Sequence, residues 1–201
     1  MRVEILVEEP SAVAMLAQLL PLLLQEEDSW HPVPHRGKDQ LLKELPRRLK
    51  SYANRMLYEP DLRVILLMDA DRDCRKAKEL LEQLVTDAGL VSKANAQVDQ
   101  SFKVITRLAV SELEAWFLGD RAAIAAAYPR VHANHFKGMS TPCDEVPNAW
   151  ETLHRILQKG GYYPGRYLKV EAAEQIASHL DLARNTSPSF RYFCEGLAAL
   201  R

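Results

Sequence analysis

The stretch VILLMDADRDCRKAKELL, residues 64–81, ends an apolar run in three carboxylates, Asp69, Asp71 and Asp73, set two positions apart. A second apolar run, RVEILVEEPS, ends in Glu8 and Glu9. Carboxylates held together repel one another and are costly to desolvate. A hard divalent cation removes both problems, and Mg²⁺ commonly takes one or two carboxylates while keeping waters for substrate oxygens. Such an ion polarises a phosphate, activates water and stabilises a leaving oxygen. These residue types are compatible with phosphoryl chemistry assisted by Mg²⁺ or Mn²⁺, with Glu8 and Asp69 or Asp71 as candidate metal ligands. A local explanation competes with this one. Asp is a preferred helix N-cap and first-turn acids suit the helix dipole, which accounts for one Asp of the three.

The acids need strands to hold them. RVEILVE and RVILLMDAD read as strands buried on both faces, because they are compact, apolar and rich in branched residues. AVAMLAQLLPLLLQEE follows at helical spacing, with Ser11 as a candidate cap and Pro21 expected to kink it or split its last turn. SWHPVPHRG, interrupted by prolines, is an edge strand at most. KDQLLKELPRRLKSYANRML and RKAKELLEQLVTDAG read as helices, the second closed by Gly89. SFKVITRLAVSELEAWFLGD begins as a strand and turns helical from Ser111 to Leu118. This alternation predicts an α/β fold, a mainly parallel, Rossmann-like sheet flanked by helices. Residues 129–148 form an irregular connection, and only helical segments follow. The expected division is an α/β metal-binding unit at 1–128 and a helical C-terminal part at 129–201 packed on it. In open parallel sheets, functional groups collect at the carboxyl ends of strands. If the two acid-bearing strands are neighbours, about 4.8 Å apart, Glu8 and Asp69 or Asp71 converge on one ion.

The spelling of the chain excludes several other motifs. An EF-hand loop beginning at Asp69 has Cys74 where Gly is required and Leu80 where a bidentate Glu is required. A Walker-B strand lacks its partner, because no G-x-x-x-x-G-K-[ST] occurs. His132, His135 and Cys143 match no zinc spacing. Glu112 and Glu114 open a helix two positions apart and do not share a face, so one of them at most points at the site. Arg36 and Lys38 flank Gly37 before a helix N-terminus, a suitable arrangement for nucleic-acid phosphates, whereas Lys43 to Lys50 read as a solvated helix face. Lys169 is a candidate for opposing negative charge that develops in a transition state.

The totals constrain partners. The 201 residues carry a formal net charge of -1, so no global basic field announces nucleic acid. Three dispersed cysteines do not form a disulfide framework, and no long apolar leader or span is visible. A cytoplasmic protein without a membrane role, and with a possible homo-oligomeric state, is expected.

ILVEEPSAVAMLAQLL resembles the opening of Toprim-type domains, where a strand ends in a catalytic glutamate before a small turn and helix. VILLMDADRD resembles their D-x-D strand. In finer detail VEEPS, RGKDQLL, LLMDADRD, SELEAWFLGD and SPSFRYFCEGLAAL resemble the bacterial family catalogued as domain of unknown function 4276. The resemblance implies Glu8 as the Toprim glutamate, Asp69 and Asp71 as metal-binding aspartates, Asp73 as an auxiliary ligand, and Glu114 rather than Glu112 at the site. Glu9 departs from the pattern, standing where glycine is usual. Similarity to nucleases of the overcoming-lysogenization-defect type implies metal-dependent phosphodiester cleavage of DNA or RNA, in an antiphage-defence effector working with an ATPase partner. The alternative is a catalytically weak interaction subunit of an ATPase complex. A mononucleotide hydrolase using the same acids is the third reading.

Overall fold

The computed structural model describes residues 1–70, 73–139 and 142–201. Its strands are β1 (Arg2–Val7), β2 (Ser29–Pro34), β3 (Leu62–Asp69) and β4 (Val104–Ala109), in the order β2-β1-β3-β4. Every pairing is parallel, with Val7 opposite both Pro34 and Leu67, and Asp69 opposite Ala109. Between the strands run α1 (Pro10–Leu23), α2 (Lys38–Arg55) and α3 (Cys74–Asp87). The α/β expectation and the neighbouring of the two acid-bearing strands are both met.

Strand parity divides the core. Val3, Ile5 and Val7 of β1 and Ile65 and Leu67 of β3 pack on α1 and the C-terminal helices. Leu6, Val64, Leu66 and Met68 face the opposite layer with Leu41, Leu45 and Leu49 of α2 and Leu81 and Val85 of α3. Side chains alternate across a strand, so Asp69 shares the side of Ile65 and Leu67. That side carries the C-terminal helices.

Two local expectations need correction. Ser11 does not cap α1. Pro10 occupies the first helical position, where its fixed φ suits a helix start, and Glu9 becomes the N-cap residue. The Ser11 hydroxyl, inside the first turn, donates to Glu9 Oε2 at 3.4 Å. The helix also stops earlier than its apolar run, at Leu23, two residues after Pro21. The edge assignment of the proline-bearing β2 holds. Gly89 closes α3 at φ +75°, donating to the Thr86 carbonyl.

After β4 come α4 (Leu113–Leu118) and α5 (Arg121–Ala127), two 3₁₀ turns, then α6 (Ala149–Lys159), α7 (Lys169–Ala177) and α8 (Pro188–Ala198). One apolar cluster runs from Val3 through Trp116 to Ala173, Phe190 and Phe193, joining these helices to the sheet. Polar fasteners fix their positions. Asp120 is 1% exposed, caps α5 through the Ala123 N–H, and accepts from Asp181 N–H and the Arg184 guanidinium. Asp144 accepts from the Ser187 hydroxyl and Ser189 N–H, while the Trp116 indole donates to Ser189 Oγ at 2.7 Å. Gly119 lies under this junction. A Cβ there would meet the Asn185 side chain and come within 3.0 Å of the Ser187 backbone nitrogen. Gly119→Ala should therefore cost about 1–3 kcal/mol of stability, read from urea unfolding; an unchanged midpoint would show that the junction yields freely. Among the described residues no helix is long and apolar enough to cross a membrane.

Candidate functional site

In strand order β2-β1-β3-β4 the chain leaves β1 toward β2, then crosses back to β3, so the carboxyl ends of β1 and β3 flank the topological switch point. Glu8 follows β1 there and Asp69 closes β3. Glu8 Oε2 accepts the Asp69 backbone N–H at 3.2 Å, and the Glu8 carbonyl accepts the Gly37 N–H at 3.0 Å. Gly37 sits at φ +101°, a backbone region that side chains disfavour, so this close tie between the β2 end and the β1 end uses its glycine. Lys38, the first residue of α2, donates its ammonium to the Asp69 carbonyl at 3.2 Å. The first acids are thus pinned by backbone from three strand ends.

Glu114 comes from the first turn of α4 and is 2% exposed. With Glu8, Glu9 and Asp69 it lines a recess of about 10 Å³, floored by Leu67, Met68 and Leu113; that is about the room of one water molecule. Lys169, at the start of α7, pairs with Glu9 Oε2 at 3.3 Å. The structure therefore brings Glu8, Asp69, Glu114 and Lys169 to one place, with Lys38 behind Asp69. Glu112 is turned away: its carboxylate accepts the Trp150 N–H at 2.8 Å in the first turn of α6. Glu112 is the extended N-cap residue of α4 rather than part of the helix, so the expectation that both glutamates open it needs correction; its charge instead complements the N-terminus of α6.

The electrostatics follow from crowding. Burial, then Glu8, Glu114 and Glu9, push the Asp69 carboxyl well above the ordinary carboxylate range, against the pull of Lys169. Burial pushes Glu114 up to about 7, opposed mainly by Lys169 and helped by Glu112 and Glu9. Lys169 loses affinity for its proton through burial, but Glu114 and Glu9 more than restore it and its pKa is raised. A carboxyl group near neutrality can hold or release a proton at working pH.

Two other expected residues lie apart from this group. Asp73 caps α3, accepting the Lys76 N–H at 3.0 Å, and this bond holds its carboxyl below the usual range. It faces a separate cleft of about 890 Å³, shared with Lys38, Lys76 and Glu112. Arg36 is exposed, and its backbone N–H donates to the Gln40 side chain at 2.6 Å. Asp71 lies outside the described residues. Asp73→Ala should lower the melting temperature by a few degrees, whereas Asp73→Asn, which retains a capping oxygen, should keep both stability and activity. Lost activity in a fully stable Asp73→Asn protein would return Asp73 to the site.

Glu9 is the site residue that sequence reasoning undervalued, treating it as a departure from pattern. Its signal was the acidic doublet itself, since two adjacent acids after a strand point to different surroundings. Among the described residues no three His, Cys, Asp or Glu side chains are grouped so that they could together hold a metal ion.

A parallel sheet bearing acids at the carboxyl ends of its two central strands defines an open α/β protein with its candidate site at the switch point. The chain belongs to the family described as Domain of unknown function (DUF4276), whose sequence model matches residues 7–198. No curated protein and no solved structure matches the chain.

Proposed function

We propose that the protein is a Toprim-like, metal-dependent nuclease that hydrolyses phosphodiesters of DNA or RNA. The observation that carries this reading is the meeting of Glu8 and Asp69 at adjacent strand ends, opposite Glu114 and Lys169. The donor set suits a hard cation: carboxylates crowd a water-sized recess, raise one another's pKa, and outnumber the ammonium groups of Lys169 and Lys38 placed against them. Glu8 and Asp69 would hold Mg²⁺ or Mn²⁺, with Asp71 a further ligand of the proposal. Bound there, the ion would supply an activated water and neutralise phosphate charge. Glu114, whose carboxyl burial raises to about 7, would serve as acid or base toward the attacking or leaving oxygen. The Lys169 ammonium opposes charge developing on the phosphoryl oxygens, and Lys38 orients the Asp69 backbone. Arg36 offers an exposed cation to the nucleic-acid backbone, without sequence preference.

The Glu9–Lys169 ion pair favours a second reading. It ties up the cation that would face a phosphate, as expected of a latent or catalytically weak subunit within an antiphage ATPase complex. Purified wild type with Mg²⁺ or Mn²⁺ should cleave plasmid DNA or structured RNA, and Glu8→Gln should not. Equal cleavage by both would trace the activity to a contaminant. Copurification with an ATPase, with the complex inert toward nucleic acids and mononucleotides, would establish the second reading instead.

A further inference from the structure

A groove of about 990 Å³ opens beside the acidic recess and shares Glu9 and Ser11 with it. One wall is aromatic. Trp150 and Tyr167 lie nearly parallel, 16° apart with centroids at 6.4 Å, and His154 stacks on Tyr167 at 5.3 Å and 25°. Trp150 and His154 are partly exposed, and the outer lip carries Leu168 and Val170, 43% and 47% exposed. Tyr167 is 8% exposed, and its buried hydroxyl has no hydrogen-bond partner among the described residues.

Two cations line the groove. The Lys169 ammonium lies 5.9 Å from the Trp150 ring centroid and reaches Glu9 on the side toward the acids, and Arg166 is an exposed lining residue. Carboxylates are present as well. Glu171 is engaged by the Tyr163 hydroxyl at 2.7 Å, Glu9 by Lys169, and Glu174 lies further along α7. Planar rings with an apolar lip bind a flat, hydrophobic face, and the two cations beside them suit an attached phosphate.

We propose that this groove is a subsite for an unpaired nucleobase, placing its phosphate toward Lys169 and Arg166. The inference rests on the nuclease reading and sharpens its substrate class to single-stranded nucleic acid. A base within a duplex has both faces covered by its neighbours and cannot present one to Trp150.

Binding separates this proposal from catalysis. Full-length Asp69→Asn protein in EDTA is titrated with short oligo(dT) and oligo(U) and with a duplex of equal length, by anisotropy and tryptophan emission. Both single strands should bind more tightly than the duplex and quench emission. Trp150→Leu should weaken them about 5- to 150-fold, the range of one base–aromatic stack. Trp150→Phe, which keeps a ring, should retain binding while losing most of the quench. Equal affinity for duplex and single strands, or a folded Trp150→Leu protein that binds like its parent, would overturn the subsite. Single-strand binding by a wild type that never cleaves would sink the nuclease reading alone and leave the subsite standing.

Discussion

Asp69→Asn is expected to reduce metal-dependent cleavage about a thousandfold without lowering stability. The first half follows from chemistry. Asparagine keeps the shape and the backbone tie to Glu8 but removes the negative charge that a hard cation requires. Losses of about 10²–10⁴ accompany removal of one group acting on the reacting atoms. The second half follows from crowding. The Asp69 carboxyl is pushed well above its ordinary range by burial and by Glu8, Glu114 and Glu9, so in the metal-free protein its charge is a source of strain. A neutral amide relieves that strain, and the melting temperature should hold or rise. Cleavage and melting measured on one preparation decide the matter. Lost cleavage with lost stability would mean that Asp69 is a structural residue, and retained cleavage would remove it from the site.

Glu114 gives the second large effect, read as a pH dependence. Its carboxyl, ordinarily near 4.5, is raised to about 7 in the fold. The folded state therefore holds the proton more tightly than the unfolded chain does. The associated stability is fully present below pH about 4.5 and is lost as pH rises toward 7, by about 3 kcal/mol across that window. Asp69, raised in the same direction, adds to the slope. In EDTA, wild type should lose stability between pH 5 and 8, while Glu114→Gln should be flatter and more stable at pH 8. Coincident profiles for the two proteins would show that Glu114 is solvated and carries no special proton.

The strands were legible because their residues leave little choice. VILLM is apolar at every position, as a strand covered on both faces must be, and the prolines of SWHPVP restrict that segment to an edge. The acids at the ends of β1 and β3 were equally plain. What periodicity could not supply was the starting residue of α1. Pro10 and Ser11 both suit a helix start, and the choice fell to the proline's fixed φ. The three alternating aspartates also looked equivalent in one dimension. In space, Asp69 continues β3 while Asp73 belongs to the next helix and caps it.

Motifs such as SELEAWFLGD and SPSFRYF carried a different message from the one their chemistry suggested. Trp116, Asp120, Ser187 and Ser189 bind one another or the backbone, so much of that pattern fastens α5 and α8 behind the sheet. Only Glu114 within it turns toward the acids. Residue type does not distinguish a fastener from a site group, because a buried carboxylate with several donors and one with few are the same letters.

The sequence alone determined the parallel α/β class, the strands that end in carboxylates, and the family membership, because hydrophobic period and local spelling are properties of short segments. Only the tertiary structure decided which acids meet. Strand order made β1 and β3 neighbours, and parity turned Asp69 toward the layer containing α4 and α7. Packing of the C-terminal helices then brought Glu114, Lys169 and the Trp150 groove to it from residues far along the chain.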